Sequence, residues 1–553
     1  MLKNLVIILL TVILIFVGGT LYVLQTDMFG EPDYNDLGLK TVWVNGGLEL
    51  FNQPIVSNSN TSYMDIESAK KILGLDLVWD LKNAWIIMNN DNNIYRIKCL
   101  NHSIQKNREK DIPFSGFAIV GGIPYLEIGF LEQYSNYNIE FNELSKQWKI
   151  DEEKMYESMW EAKKPIRIRE KKDEWSKVLD KIDVGSQIIR YRNDEIESDW
   201  IYIMSEHNIR GYVKKEDVQK KKVFKVVETK PVEESIDKKP LNITWEAVYN
   251  VPIDYNKTEK MSGLDIIIPT WFEMTNEFGS YRDKSDKGYV AWANSNGYEI
   301  WGLFNNGMNP DFTHNVVSDA KVRMDTINRI VDLAIKNKLK GINIDFENVY
   351  ETDKDMLVQF VKELYPIALE NNLILSMDVT RKGGSANWSR CYDRKELAKY
   401  VDYLMLMAYD EHWASSPVAG SVASIPWVEE SIKGLLEEVP EDKLILGIPF
   451  YTRRWETYVR GNSSKVKSAT FSPLKTKELI KNKDLEIIYD DASKQNYVTY
   501  KVGNSKFEIW IEDKESLEKR IELVNKYNLA GVASWARVFA DSEFWDVIES
   551  KMH

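Results

Sequence analysis

The sequence predicts an α/β chain in which residues 243–553 form a (β/α)8 TIM barrel with a small β-rich insertion, preceded by two small, mainly β domains and an N-terminal transmembrane helix. Three observations support this prediction. Apolar runs alternate with helical patterns over the C-terminal part. Short strands separated by Gly and Asn turns fill the region before it. An uncharged apolar stretch occupies residues 5–24.

The apolar stretch is long enough to cross a bilayer, because its 20 residues form a helix of roughly 30 Å. Lys3 precedes it and acidic residues follow, so the positive-inside rule predicts a cytoplasmic N-terminus and a wall-facing remainder outside the cell membrane. The alternative is a signal peptide cleaved after Gly19, although signal peptides usually have only about 7–15 apolar residues. We expect an uncleaved single-pass anchor over residues 1–24 and a linker over residues 25–38.

Residues 39–151 show strands, turns and short helices in a pattern that recurs once. Asn45-Gly46 is a strong hairpin signal, and "DIESAKKILGL" is typical of a short amphipathic helix closed by Gly74. The segments "VWVNGG", "KKILGLDLVWD" and "WIIMN" resemble the copper amine oxidase N-terminal-like domain of bacterial surface proteins. The resemblance implies no copper, and we interpret this domain as a spacer.

Residues 160–220 contain four strand candidates, "PIRIRE", "GSQIIRYR", "SDWIYIMS" and "IRGYVKKEDV". Their order resembles bacterial Src-homology-3-like domains, which often bind cell-wall peptide. A module that only packs against its neighbours is an equal alternative. Residues 221–242 are charged, carry two prolines and are typical of a linker.

The segment "GINIDFENVY", residues 341–350, is unusual for a buried parallel strand. Such strands usually run apolar on both faces, whereas Asn343, Asp345 and Glu347 alternate with apolar residues. Neighbours on one face lie about 6.6 Å apart, so the polar row leads to the C-terminal mouth of the barrel, where active sites of such barrels lie. Because an unpaired buried carboxylate costs several kcal/mol, we expect these acids to be functional.

The same segment resembles the motif DGxDxDxE of glycoside hydrolase family 18, the chitinase-like family. In "KGINIDFE", Gly341, Asp345 and Glu347 match the motif, and Lys340 and Asn343 depart from it. The resemblance implies a glycosidase.

Two further motifs follow in the order of the family and extend the resemblance over about residues 245–548. "LMAYDEHW" supplies Met407, Tyr409 and Asp410, and "GVASWA" supplies Trp535. The details "DFENV", "AYDEHW" and "VASIPWVEESI" look most like the spore-cortex-lytic, peptidoglycan-acting branch. Residues 455–510 look like an inserted β-rich subdomain.

The resemblance implies a reaction in which the substrate's own N-acetyl group attacks the anomeric carbon. Glu347 would protonate the leaving oxygen, with a pKa raised towards roughly 6–7. Asp345 would orient the acetamide and stabilise the oxazolinium, and Tyr409 would donate to the acetamide oxygen. The remaining candidates for substrate contact are Trp535 as the floor under the sugar, Asp410, Met407, Trp271 and Asn343.

Asn343 stands where the family has an aspartate, and an amide cannot take or share a proton. We expect it to hydrogen-bond Asp345 and hold it. The alternatives are a weakened enzyme and a silent glycan-binding protein, but retention of both Asp345 and Glu347 argues for an enzyme.

The composition excludes other classes of function. A net charge of −13 argues against a nucleic-acid partner. Cys99 and Cys391 lie far apart, and the five histidines form no ligand spacing, so we expect no metal and no cofactor. The expected partner is a polysaccharide, with peptidoglycan first and chitin second. Endo or exo cleavage and the oligomeric state stay open.

Overall fold

A computed structural model describes most of the chain. The described residues are 41–45, 47–50, 54–58, 61–90, 92–142, 147–152, 156–191, 199–207, 209–223, 239–249, 254–255, 258–460 and 463–552. The predicted anchor over residues 1–24 and linker over residues 25–38 lie outside these ranges. None of the described helices is long and apolar enough to cross a membrane.

The chain forms two compact units. The described residues of the first unit lie within 41–79 and 113–223, and those of the second lie within 80–112 and 239–552. Residues 80–112 of the predicted domain 39–151 therefore fold with the barrel.

Among the described residues, the first unit contains two four-stranded sheets and one seven-stranded sheet. The hairpin expected at Asn45 is confirmed, because Thr41–Val44 and Gly47–Leu50 pair antiparallel around it. The helix expected before Gly74 is Ile66–Leu73, and it ends at this glycine with φ of 69°. The other elements of this part are the strands Ile55–Asn58, Thr61–Asp65, Phe117–Val120, Ile123–Glu127, Tyr137–Asn142 and Gln147–Glu152, with the helix Ile128–Gln133.

The seven-stranded sheet contains the four strands that the sequence indicates in residues 160–220. Its core is a cluster of buried apolar side chains that includes Ile168, Ile188, Ile203 and Val213. In order across the sheet, its strands are Val178–Ile182, Ile166–Arg169, Arg210–Lys214, Trp200–Met204, Gln187–Tyr191, Tyr156–Ala162 and Val218–Val223. The likenesses to named domains in this unit stay predictions.

In the second unit, a buried ion-pair triad joins residues 80–112 to the barrel helices. Arg96 Nη2 donates to Glu363 Oε2 at 3.0 Å, and Arg323 Nε donates to Glu363 Oε1 at 2.7 Å. All three side chains are at most 1% exposed. Although burial raises it, the charges of Arg323 and then Arg96 bring the pKa of Glu363 below its usual range. The antiparallel strands here are Trp85–Asn90, Asn93–Lys98 and Ser103–Lys106.

The predicted barrel is confirmed: eight parallel strands form a closed ring, because each pairs with the next and the last pairs with the first. Its interior is filled by a cluster that includes Trp245, Trp301, Leu303 and Met405. Numbered β1 to β8 in chain order, the strands are Leu241–Glu246, Ile266–Pro269, Glu299–Asn305, Gly341–Asp345, Ile374–Val379, Tyr403–Met407, Leu444–Pro449 and Gly531–Trp535.

Amphipathic helices cover the outside of the ring. The helix Ala320–Lys336, for example, begins at the side chain of Asp319, which accepts from two backbone N–H groups of the first turn. The other helices are Lys287–Ser295, Pro310–Ser318, Lys354–Glu370, Arg394–Leu397, Ile425–Leu436, Lys514–Lys526 and Ser542–Lys551.

A five-stranded antiparallel sheet lies between β7 and β8, where the sequence indicates an insertion over residues 455–510. Val498, Ile509 and Ile511 form its core against the helix Pro473–Lys483. In order across the sheet, the strands are Ser463–Phe471, Thr452–Arg460, Ser505–Trp510, Gln495–Val502 and Ile488–Asp490.

Candidate active site

The alternation in β4 is the one expected from the sequence. Ile342, Ile344 and Phe346 are fully buried, and Asn343 lies in the barrel interior, also fully buried. The first residue of β4 must be glycine. A Cβ at Gly341 would lie 2.6–2.8 Å from the ring of Trp301, which packs in the barrel interior.

Glu347 is held at the barrel mouth by its backbone. Asn306, at the end of β3, accepts from Glu347 N at 3.1 Å and donates to Glu347 O at 2.7 Å. Because Asn306 is fully buried and its amide also donates to Thr313, this clamp is fixed. Nothing in the sequence pattern indicates it, since "FNNG" reads as an ordinary turn after a strand.

The environment of Glu347 favours its neutral form. Burial, and then the neighbouring charges of Asp345 and Asp410, raise the pKa of Glu347 from 4.5 to about 8. The direction agrees with the expectation, and the value is higher than the 6–7 expected. A carboxyl that keeps its proton at neutral pH can act as a general acid.

Asp345 ends β4 with one oxygen unsatisfied. Its Oδ1 atom is buried and has no hydrogen-bond partner among the described residues. Burial, and then the charge of Asp378, raise the pKa of Asp345 well above its usual range. A buried acceptor without a partner is costly in the free protein, so this oxygen is placed to accept from a ligand.

Asn343 does not hold Asp345 as the sequence suggested. Its amide donates to Asp378 Oδ1 at 2.9 Å and to Ser376 Oγ at 3.1 Å, and its carbonyl oxygen accepts from Trp245 Nε1 at 3.3 Å. The amide N–H groups of Asn343 are directed to the neighbouring strand β5, about 4.8 Å away, where Asp378 and Ser376 accept them.

Asp378, on β5, is a site residue that the sequence argument missed. It is 2% exposed and faces the same interior layer as Asn343. Burial, and then the charge of Glu347, raise the pKa of Asp378 well above its usual range, although hydrogen bonds from Asn343 and Trp245 oppose this. The signal was present in "LILSMDVT", where Ser376 and Asp378 alternate with apolar residues.

Aromatic side chains line the mouth beside the acids. The ring of Trp245 lies 6.1 Å from that of Trp535 and 6.3 Å from that of Tyr409. Burial, followed by the charges of Asp378, Asp345 and Glu347, raises the pKa of Tyr409 well above its usual range. Tyr409 therefore keeps its hydroxyl proton and can donate it in a hydrogen bond.

Trp271 does not reach this surface. It is 1% exposed and packs edge-on against Phe272 and Tyr289, at centroid distances of 6.3 and 5.9 Å. Trp271 is therefore not placed to contact substrate in this structure, contrary to the prediction. It follows Pro269 and Thr270 at the end of β2, where the chain directs its ring into the wall of the barrel.

Asp410 is exposed at the mouth, with φ of 57°. Its Oδ1 atom accepts from Tyr451 Oη at 2.6 Å and from Arg453 Nη2 at 2.8 Å. Arg453 belongs to the first strand of the inserted subdomain, so the insertion fixes the side chain of Asp410. Met407, the last residue of β6, is partly buried.

Among the described residues, no group of three or more His, Cys, Asp and Glu side chains is arranged to hold a metal ion. What the geometry offers is a neutral acid, a hydrogen-bonding carboxyl and a tyrosine hydroxyl around one aromatic wall. This arrangement can protonate a leaving group and orient an amide-bearing substrate.

Residues 304–540, which contain these groups, match the family described as glycosyl hydrolases family 18. This match covers less than half of the chain. It confirms the resemblance of the barrel to that family.

Relatives of this chain include two proteins of Bacillus subtilis. YdhD, named as a sporulation-specific glycosylase, is 28% identical over 43% of this chain and 56% of its own length. A cortical fragment-lytic enzyme is 23% identical over 46% of this chain and 59% of its own length. The chain thus spans less than two thirds of each of these relatives. The Bacillus megaterium spore cortex-lytic enzyme shares the fold, at 20% identity and a TM-score of 0.51, over 57% of this chain and 75% of its own.

Proposed function

We propose that the chain cleaves β-1,4-linked N-acetylglucosamine glycans by substrate-assisted catalysis with retention of configuration. The observation that carries this proposal is the unsatisfied, buried Oδ1 of Asp345 beside Glu347, whose pKa is raised to about 8. One group is ready to give a proton, and the other is ready to accept one hydrogen bond.

Each step uses a side chain already described. Glu347 gives its proton to the leaving glycosidic oxygen as the C1–O bond breaks. The acetamide carbonyl of the sugar attacks C1 from the opposite side and forms an oxazolinium ion. Asp345 accepts from the acetamide N–H and stabilises the positive ring, while Tyr409 donates to the acetamide oxygen. Ionised Glu347 then takes a proton from water as the water oxygen attacks C1, and the bond between C1 and the acetamide oxygen breaks, so the ring opens.

This sequence inverts C1 twice, so the first product keeps the β configuration. The substrate must carry an N-acetyl group on the sugar that binds at the reacting position. Trp535 would provide the apolar floor under that sugar.

Peptidoglycan is the substrate that we favour. Its support is the naming of the relatives, one as a sporulation-specific glycosylase and one as a cortical fragment-lytic enzyme. Chitin has the same linkage and the same acetamide, so the mechanism alone does not choose between them. Analysis of muropeptides released from peptidoglycan, beside an assay on chitin oligosaccharides, separates the two substrates.

We also propose that residues 1–24 anchor the enzyme in the cell membrane with its barrel facing the wall. Support comes from the sequence, in which Lys3 precedes and acidic residues follow the apolar stretch. Fractionation of bacterial cells expressing the full chain, or a variant starting at residue 25, tests this. Recovery of the full chain outside the membrane fraction would contradict the anchor.

Glu347→Gln tests the catalytic assignment, because glutamine keeps the shape of glutamate but cannot donate an acidic proton. Turnover should fall by at least about 10²-fold, the contribution typical of general acid catalysis. Glu351→Gln is the matched control, since Glu351 follows four residues later and pairs with Arg390 on the surface. It should keep wild-type turnover. Residual activity of Glu347→Gln above about a hundredth of wild type would refute the role.

A further inference from the structure

This chain departs from the family motif at Asn343 on β4, and the neighbouring strand β5 carries the carboxyl of Asp378 beside it. The motif DGxDxDxE has an aspartate where Asn343 stands. Asp378 on β5 fills the space next to that amide, at 2.9 Å from its Nδ2 atom. The buried layer therefore keeps two carboxyl groups, although only one of them lies on β4.

Strand register places the two carboxyls side by side. Asn343 is paired with Ser376 and Ile344 with Met377 in the parallel ladder between β4 and β5. The same register sets Asp345 opposite Asp378 at the next step, about 4.8 Å apart between strands. Both side chains lie in the barrel interior, because Asn343, with which Asp378 bonds, also bonds with Trp245 in the core.

On the basis of the glycosidase function proposed above, we propose that Asp378 shares one proton with Asp345 and so takes, from β5, the place of the aspartate that β4 lacks. Asp378 is a positioning residue for Asp345. Asn343 takes part by orientation, because its amide N–H donates to Asp378 Oδ1 and so fixes the direction of that carboxyl.

The charges around the pair favour this arrangement. Glu347 lies two residues after β4, Tyr409 and Asp410 follow β6, and Tyr392 follows β5. These groups are neutral or acidic, and the cation Arg453 binds Asp410. Two buried carboxylates without a cation do not both ionise, so they titrate as a unit that holds one proton. The raised pKa of each is consistent with this.

The shared proton moves during the reaction without leaving the pair. When the oxazolinium forms, its positive charge favours ionised Asp345, so the O–H bond on Asp345 breaks and one forms on Asp378. When the ring opens, the proton can return. The proton that Glu347 gives to the leaving oxygen is a separate one, and the count of protons is unchanged by the exchange.

Asp378→Asn and the exchange N343D/D378N test the proposal in the full-length chain. In the wild type, the protonated carboxyl of Asp378 donates to ionised Asp345 and lowers the pH at which Asp345 takes up a proton. Asparagine replaces this donor with a weaker amide donor, so the acid limb of kcat/KM should move up by about one pH unit. In the exchange, the amide and the carboxyl swap strands and can keep the same hydrogen bonds. Its acid limb should return close to the wild-type position.

Ser376→Ala is the matched control. It also removes a hydrogen-bond partner of the Asn343 amide from the same buried layer, but it removes no carboxyl. It can lower turnover, but its acid limb should stay at the wild-type pH. An acid limb of Asp378→Asn that does not move, or an exchange variant no closer to the wild type than Asp378→Asn, would overturn the proposal.

A second readout needs no substrate and separates this proposal from the function on which it rests. In a Glu347→Gln background, the infrared carbonyl band of protonated carboxyls is followed against pH. Its alkaline loss should move to lower pH on Asp378→Asn and back in the exchange. If this band behaves as expected while the wild type cleaves no glycan, the proposed function fails and the proton sharing stands. If the band does not move, the sharing fails even if the enzyme is active.

Discussion

Replacing Glu347 by glutamine should stabilise the protein far more in alkaline than in acidic solution. In the folded protein the pKa of Glu347 is raised from 4.5 to about 8. Between these values the folded state keeps a proton that the unfolded state has released. The stability that the proton of Glu347 gives to the wild type is therefore fully present below pH 4.5. It is lost as the pH rises from 4.5 to about 8. Glutamine has no such proton.

The size of the effect follows from the shift. Each unit of pKa corresponds to about 1.4 kcal/mol, so the rise from 4.5 to about 8 gives at most about 4 kcal/mol between pH 5 and pH 9. The free energy of unfolding of Glu347→Gln, minus that of the wild type, should grow by a few kcal/mol over this range.

Urea unfolding at pH 5, 7 and 9 measures this difference. Glu430→Gln is the control for the loss of one carboxylate, because Glu430 lies on the outer helix Ile425–Leu436 with 70% of its side chain exposed. If the difference between Glu347→Gln and the wild type were the same at pH 5 and pH 9, Glu347 would be ionised in the folded protein. It could not then be the acid.

Three further changes test other parts of the structure. Asn306→Ala removes both bonds to the backbone of Glu347 and should lower kcat about tenfold with a smaller change in KM; an unchanged kcat would show that the clamp is dispensable. Trp535→Ala should raise KM for glycan severalfold, and an unchanged KM would remove it from the floor. Arg96→Met leaves Glu363 with one arginine and should lower the free energy of unfolding by about 3–5 kcal/mol; a loss under about 1 kcal/mol would contradict the importance of the triad. Proton NMR should show a β first product, and an α product would exclude the substrate-assisted route.

The acids at the end of β4 could be predicted from the sequence because charged residues are not expected in a buried parallel strand. A parallel barrel strand has no structural reason to alternate Asp345 and Glu347 with fully buried apolar residues. The barrel itself was predictable for a similar reason, since its eight apolar runs recur between helical patterns. Both inferences rest on local periodicity, which a single sequence displays directly.

Asp378 and Asn306 could not be assigned in this way. Asp378 alternates with apolar residues and Asn306 follows a strand, but the partners of both side chains depend on the register between strands, which periodicity does not give. Trp271 shows the opposite failure, because an aromatic residue after β2 was assigned to the cleft although its ring turns into the wall. The direction of a side chain just after a strand depends on the path of the loop, and the sequence pattern does not specify that path.

The triad that joins Arg96 to the barrel bears on how the chain is made. Arg96 and Glu363 are 267 residues apart in sequence. At a synthesis rate of about 5–20 residues per second, roughly 13–50 seconds separate their appearance at the ribosome. Throughout that interval Arg96 lacks Glu363, and the buried triad can form only after the helix Lys354–Glu370 has emerged. The barrel unit is therefore finished by a segment that was synthesised long before it, so a ribosome pausing before residue 363 would hold that segment unfinished.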